Sequence, residues 1–450
     1  MSWEKRKLGD LCSINKGKIG ITKAIPGEYP LVVTSEERKS HNEYHFEGEA
    51  VVIPLVSSTG HGHRSLKRIH YQTGKFAVGN ILCAVIPNDR NILNAEYLYR
   101  FLDLNREKEL VSRMRGMANV SLPINEIEKI EIPLPPLEEQ RKFVEDYKEL
   151  ETANGTLSSE ISIQLDLVNQ LCQAFLREAI QGKLVVQNEP YESAKNLLAK
   201  IKAEKEQLIK EKKIKNQKPL PPISEDEIPF EIPNNWIWCR LGDLLIDLLG
   251  GYAFRSTNYI KESRNQVIRL GNVKNDNLLI ESNPAYITDE YAIDAEKAKL
   301  LPGDILITMT GTRAKKDYLF TLLLNESHFT EFKLYLNQRV GSFRLSSLLD
   351  KSFINKLLKE PKILEPVFLS STGAANQANI GVAALNNILI PLPPLSEQKR
   401  IVAKLDELMA YCDSLEESIK NSQVQNEMLL GQVLREALEP EEKSIKEEVL

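Results

Sequence analysis

The 450-residue chain predicts an α+β protein in which two copies of one globular unit alternate with two long helices. Three observations predict it. Residues 132–144 read IPLPPLEEQRKFV and residues 390–402 read IPLPPLSEQKRIV, so one phrase occurs twice. Trp3 followed by Leu8-Gly9-Asp10 is matched by Trp236 followed by Leu241-Gly242-Asp243. A helical pattern of apolar residues follows each phrase, at an offset of 258 with no gap. Self-similarity at this scale defines the architecture ahead of any single motif.

The first unit spans residues 1–137. Apolar runs at 29–34, 50–56 and 80–87 read as strands separated by Gly-containing turns. The prolines at 133, 135 and 136 stop regular structure, because proline fixes φ and cannot donate a ladder hydrogen bond. Residues 138–188 read as a long helix ending near 184. Val144, Tyr147, Leu150, Leu157, Ile161, Leu165 and Val168 recur at steps dominated by three and four. Val402, Leu405, Leu408, Leu415 and Ile419 repeat the seam in the final segment, 396–450. Gln140 to Leu176 is 36 residues, as is Gln398 to Leu434. Apolar seams of equal length predict two helices that pack on each other, each a rod of roughly 60 Å. Gly155 predicts a local weakness in the first rod. Gln423 and Asn426 make the second rod more polar where the first has Leu165 and Val168. Residues 189–225 read as a charged helix and a proline-punctuated acidic connector, the boundary between the copies. The second unit then spans 226–395. The acidic tail after 438 reads as a frayed end.

Composition is ordinary for a globular protein, 42% apolar and 27% charged. No apolar run reaches the roughly 18 residues of a membrane span. The start MSWEKRKLGD lacks the apolar core of a secretion signal. Five scattered cysteines without a CxxC pair read as reduced thiols. Together these features predict a cytoplasmic location and no membrane partner. Net charge is −5, but the acid is unevenly placed. Residues 1–131 hold 19 Lys and Arg against 16 Asp and Glu, and residues 236–395 hold 18 against 16. The helices, connector and tail carry the excess acid, so neither globular unit is barred from a phosphate surface.

No catalytic signature is present: no GxxxxGK[ST], HExxH, GxSxG or strand-borne GxGxxG. His61, His63 and His70 are close in sequence, but they read as a solvated Gly-containing loop rather than a metal site. Two loops fit contact with nucleic acid, in which guanidinium groups read base edges and hydroxyl and ammonium groups hold phosphates. The first contains Ser57, Ser58, Thr59, His61, His63, Arg64, Lys67 and Arg68. The second contains Thr310, Thr312, Arg313, Lys315 and Lys316, after the apolar run 305–309. Arg255 and the Asn337-Gln338-Arg339 stretch are weaker candidates. The same loops also fit exposed basic hairpins with no partner, and Asn337 and Gln338 also fit a role in satisfying buried backbone.

These residues resemble the specificity (S) subunits of type I restriction-modification enzymes over essentially the whole chain. The resemblance lies in the doubled LPPLxEQ before a long helix and in LREAIQGK at 176–183. It continues in the connector through Pro219-Leu220-Pro221 and Pro229-Phe230-Glu231-Ile232-Pro233 to Trp236. Gly251-Tyr252-Ala253-Phe254-Arg255-Ser256, Leu301-Pro302-Gly303-Asp304 and Asn337-Gln338 complete it. The resemblance implies two target-recognition domains, each reading half of a split, asymmetric double-stranded DNA site. It implies that the helices form an antiparallel coiled coil that spaces the half-sites and docks two methyltransferase (M) subunits. Restriction (R) subunits are implied as further partners. On this reading the chain is non-catalytic and holds no cofactor. S-adenosylmethionine, for adenine-N6 methylation, belongs to M; ATP and magnesium belong to R. The family's base-reading residues vary too widely to be carried over, so the loop candidates rest on their chemistry alone.

Overall fold

The computed structural model describes residues 3–59, 62–117, 119–187, 193–216, 219–373 and 376–436. The chain divides into two units, one formed by residues 1–164 with 418–450 and the other by residues 165–417. Each long helix is therefore shared between the units, where the sequence treats it as a segment of its own.

The two repeats share one sheet strand for strand, and three of the four strands of a second. In the first unit an antiparallel sheet has the order Cys12–Lys16, Leu82–Pro87, Ala50–Pro54, His70–Gln72. In the second unit the order is Leu245–Gly250, Val340–Leu345, Ile305–Thr308, Thr321–Leu323. A further sheet in the first unit runs Lys39–His41, Tyr29–Val32, Lys75–Val78, Phe46–Glu47, and its middle pair is parallel. The second unit repeats it as Tyr286–Ile287, Asn265–Ile268, Lys333–Leu336, again with a parallel pair. The central strands Ala50–Pro54 and Ile305–Thr308 are buried at every position. Burial on both faces explains why their sequences are continuously apolar rather than alternating.

Each Leu-Gly-Asp-Leu stretch forms one helical turn, Leu8–Leu11 and Leu241–Leu244. In both, the leucine N–H donates to the carbonyl of a residue just before the final strand: Leu8 to Ile130 at 2.9 Å and Leu241 to Ile388 at 2.7 Å. That strand, Glu131–Pro133 or Leu389–Leu392, pairs with the first strand of its unit and leads into the proline pair.

The long helices are Leu137–Ile180, 44 residues, and Leu395–Glu436, 42 residues. Gln140 and Gln398, the last letters of the doubled phrase, are fully buried. The Gln140 carboxamide accepts from the Asn94 N–H at 2.8 Å and donates to the Ile92 and Pro135 carbonyls at 2.9 and 2.8 Å. Gln398 accepts from the Asp350 N–H at 3.0 Å and donates to the Pro393 carbonyl at 2.9 Å. Asn94 and Asp350 are themselves the N-caps of the helices Ala95–Leu104 and Lys351–Leu357. Each glutamine thus ties a rod to the cap of a short helix in its own unit.

In the first unit Phe143, Val144 and Tyr147 share a core with Leu434, and Leu430 packs on it. In the second, Ala179 and Ile180 share a core with Ile401 and Leu405, and the free Cys172 thiol is hydrogen-bonded with the free thiol of Cys412. Within the second unit the end of the first long helix and the start of the second therefore belong to one core.

The first helix is continuous through Gly155. Around it the Thr152, Thr156, Ser159 and Ser162 hydroxyls each donate to the carbonyl four residues back, at 2.8–3.1 Å. The helix stops at Ile180 rather than near 184, because Gly182 turns left-handed at φ +69°, with Lys183 N–H returning to the Glu178 carbonyl. The charged segment between the copies packs on the second of them. Its helix Ala194–Lys210 buries Ala194, Leu197, Leu198 and Ile201, and the last three join the core of the second unit. Beyond it, the buried Arg240 guanidinium is held by the Pro221 and Pro222 carbonyls and by Glu227, at 2.8–3.1 Å. The acidic tail lies outside the described residues.

Replacing Gln398 by Leu leaves a buried N–H and a buried carbonyl without partners, at about 1–3 kcal/mol for each. Urea unfolding of the full chain should show a clearly lowered midpoint; an unchanged midpoint would show that the carboxamide is dispensable.

Candidate nucleic-acid interface

Both candidate loops leave the exit of the equivalent central strand. In the first unit the Ala50–Pro54 strand runs on to a single bridge between Val56 and Ser121. The Ser57 N–H then donates to the Val120 carbonyl at 3.0 Å. In the second unit Ile305–Thr308 leads into Thr310–Thr312, which pairs antiparallel with Gln377–Asn379. Each loop is therefore braced by the segment that precedes the last short helix of its unit, Ile124–Glu128 or Val382–Asn386.

In the first loop Ser57 and Ser58 serve as fasteners. The Ser57 hydroxyl donates to the His63 carbonyl at 2.6 Å, and the Ser58 hydroxyl accepts from the Lys67 N–H at 3.0 Å. Thr59, His63, Arg64 and Lys67 are exposed on the fastened loop. His61 lies outside the described residues. Arg68 is paired with Glu36 at 2.8 Å, with the carboxylate largely in solvent. His70 is buried and faces inward, its Nδ1 3.1 Å from the Arg38 guanidinium. An imidazole nitrogen facing a guanidinium acts as an acceptor, so that nitrogen is not free for a metal.

In the second loop the backbone is tied as closely. Arg313 N–H donates to the Asn376 carbonyl at 2.8 Å, Ala314 N–H to the Asn376 side chain at 3.1 Å, and Thr312 N–H to Asp317. That Thr312 N–H is the main reason the Asp317 carboxyl titrates below its usual range. The Arg313 guanidinium donates to the Ser371 carbonyl at 3.2 Å, which leaves further N–H groups on its exposed side. Lys315 is exposed, and the Lys316 ammonium sits 5.2 Å from the centre of the Phe368 ring. Thr310 and Thr312 are half-buried within the pairing.

Arg255 is exposed, and the turn before it is joined to the second loop through residues 337–339. Gln338 N–H donates to the Tyr252 carbonyl at 3.1 Å, and Met309 N–H to the Arg339 carbonyl at 3.2 Å. A Cβ on Gly251 would lie 2.0 Å from the Asn337 carbonyl oxygen, so only glycine allows this approach. The backbone of Asn337 and Gln338 thus joins two segments, and exposed Arg339 adds a cation beside them.

Sequence reasoning missed three features. Arg38 spans the Glu36 and Tyr71 carbonyls and the Gln72 side chain, at 3.0–3.3 Å, the last two just past the first loop in sequence. Met117, on the bracing segment of that loop, is 94% exposed. Ser371, Asn376 and the strand Gln377–Asn379 brace the second loop. The matching signal is Asn119-Val120 against Asn379-Ile380, each just before the last short helix.

Burial, with Arg38 and Arg68 nearby, pushes the His70 imidazole down to about 4. An unfolded histidine titrates near 6.5, so the unfolded chain takes up a proton that the folded chain refuses. This contribution to stability is full above about pH 6.5 and is lost as pH falls through about 4. The urea midpoint should therefore drop across that window, and His70→Asn should flatten the drop. An identical pH profile in the variant would remove His70 as its source.

Among the described residues no helix is long and apolar enough to cross a membrane. A model of the type I restriction modification DNA specificity domain matches residues 1–166 and 233–425. The chain is 32% identical over 400 residues to the specificity subunit of the type I restriction enzyme EcoAI from Escherichia coli, covering 77% of this chain and 65% of that one. It is 30% identical over 282 residues to the EcoEI specificity subunit, also from Escherichia coli, covering 60% and 45%. It thus spans less than two thirds of the length of either relative. The MjaVIII specificity subunit from Methanocaldococcus jannaschii is 24% identical, over 96% of this chain and 93% of its own. Two solved structures share the fold. One is a chain from a study of complex assembly and conformational transition of the type I R-M system, with TM-score 0.62 and 20% identity, covering 97% of both chains. The other is the HsdS subunit from Thermoanaerobacter tengcongensis, with TM-score 0.52 and 18% identity, covering 97% of this chain and 96% of that one. The matched segments take in both repeats, with their braced loops and the greater part of both rods, and on this ground the chain belongs to the type I restriction modification DNA specificity domain family.

Proposed function

We propose that the chain is the sequence-specific DNA-recognition subunit of a type I restriction-modification complex. Each unit reads one half of a split, asymmetric duplex site through the loop at the exit of its central strand. The two long helices pair along their length as an antiparallel coiled coil, set the spacing of the half-sites and dock two methyltransferase subunits; restriction subunits join that core. The chain carries no catalytic step. Adenine-N6 transfer uses S-adenosylmethionine on the methyltransferase subunits, and ATP and magnesium serve the restriction subunits, all in the cytoplasm.

One observation carries this reading. Equivalent strands in two matched units present loops of different sequence, Thr59 to Arg68 in one and Thr310 to Lys316 in the other. A common scaffold with divergent cationic loops is the arrangement that reading two different base sequences requires. The core that Ile180 shares with Ile401, and the hydrogen bond between Cys172 and Cys412, support the paired rod. A coiled-coil scaffold without DNA accounts for the rods and the acidic balance, but not for two braced basic loops.

Methylation mapping of host DNA, with and without the gene and with the methyltransferase subunit co-expressed, tests the proposal. Loss of one split N6-methyladenine motif on deletion supports it; an unchanged methylome favours the scaffold. A finer prediction concerns the second loop. Neutralising Arg313, Lys315 and Lys316 together should weaken DNA binding by the methyltransferase complex. It should also reduce the slope of log K against log salt by about 0.9 for each phosphate that is no longer neutralised. Unchanged affinity and slope would remove this loop from the interface.

A further inference from the structure

A cluster in the first unit stands apart from the recognition loops. Strands Lys39–His41 and Phe46–Glu47 are the two outer strands of one sheet, and residues 42–45 cross between them past its two inner strands. The crossing gathers His41, Glu43 and His45, with one ligand atom of each within 4.8 Å of the others. Its path is held by the Asn42 N–H, which donates to the Ile25 carbonyl at 3.0 Å, and by the His45 N–H, which donates to the Phe76 carbonyl at 3.0 Å.

The two imidazoles are arranged as ligands. His41 is 4% exposed, and its Nδ1 faces the Ile25 backbone, 3.1 Å from the carbonyl and 3.3 Å from the nitrogen, whose N–H can donate to it. Metal binding selects the tautomer whose Nδ1–H donates to the carbonyl, leaving the Nε2 lone pair for the ion, which is how metal-bound histidines are commonly held. The His45 ring centre lies 5.8 Å from that of His41, and its Nδ1 is buried without a hydrogen-bond partner. Glu43 is exposed and free to swing. Two imidazoles and one carboxylate suit zinc and its neighbours in the first transition series rather than calcium or magnesium. Lys18 lies within electrostatic reach of His45, so a cation there is held by direct coordination rather than by the local field.

We propose that His41, Glu43 and His45 bind one divalent transition-metal ion, zinc foremost, which pins the crossover between the outer strands of this sheet. Ligand atoms around tetrahedral zinc lie about 3.3 Å apart, so the cluster closes by about 1.5 Å on binding, chiefly through Glu43. Water takes the fourth position. The proposal is independent of the DNA reading.

The test uses the full chain, stripped by a chelator and titrated with Co²⁺ as a spectroscopic stand-in, with Zn²⁺ as competitor. One equivalent should bind, giving the visible bands of four-coordinate cobalt and yielding to zinc. Glu43→Gln and His45→Ala should each weaken binding at least tenfold, while His63→Ala should not. Glu43 is exposed, so the metal-free urea midpoint of its variant should match that of the parent. No saturable equivalent, or an equivalent that survives either of the two substitutions, overturns the proposal.

Discussion

The fold turns on a carboxamide buried at the start of each rod. The chain leaves its last strand through a proline pair, which has no N–H to donate and leaves carbonyls to be satisfied in a dry interior. Gln140 and Gln398 supply the missing donor, and with the same side chain accept the free N–H at the cap of a neighbouring short helix. Glutamate lacks the donor and leucine lacks both functions. The doubled phrase is thus a joint: it sets the direction in which a helix of more than 40 residues departs from its unit.

The repeat and the rods were legible because each rests on a local rule. Proline ends strands, and apolar residues at steps of three and four make a helical stripe. Gly155 leaves no break, because one exposed glycine costs a helix only about 1 kcal/mol, which a 44-residue element absorbs. Leu197, Leu198 and Ile201 were obscured by the surrounding lysines and glutamates, and their burial depends on partners far along the chain. The loops show the same limit. Ser57 and Ser58 are the residue types that hold phosphates, yet the loop's own geometry engages them. Pairing between 310–312 and 377–379 is a long-range contact that no local pattern announces.

Rigid strands with variable loops divide the work of such a protein between stability and contact. The buried strands and the Arg240 clamp belong to the scaffold, while the cations at the loop tips are only lightly engaged. The exposed Arg68–Glu36 pair is worth at most about 1 kcal/mol, so a phosphate can displace Glu36 at little cost. Arg313 spends one donor on the Ser371 carbonyl, which positions the guanidinium while leaving its outer face available.

The packing of Leu430 and Leu434 against Phe143, Val144 and Tyr147 bears on how the protein is born. The ribosome makes the first unit's sheets early but supplies the helix that closes its core only after the whole second unit has been made. The second unit, whose parts fall between residues 165 and 417, has its full complement sooner. Of the two units, the one begun first is thus the last to be finished, and a stop codon before Leu430 damages the core that holds Leu8 and Leu11.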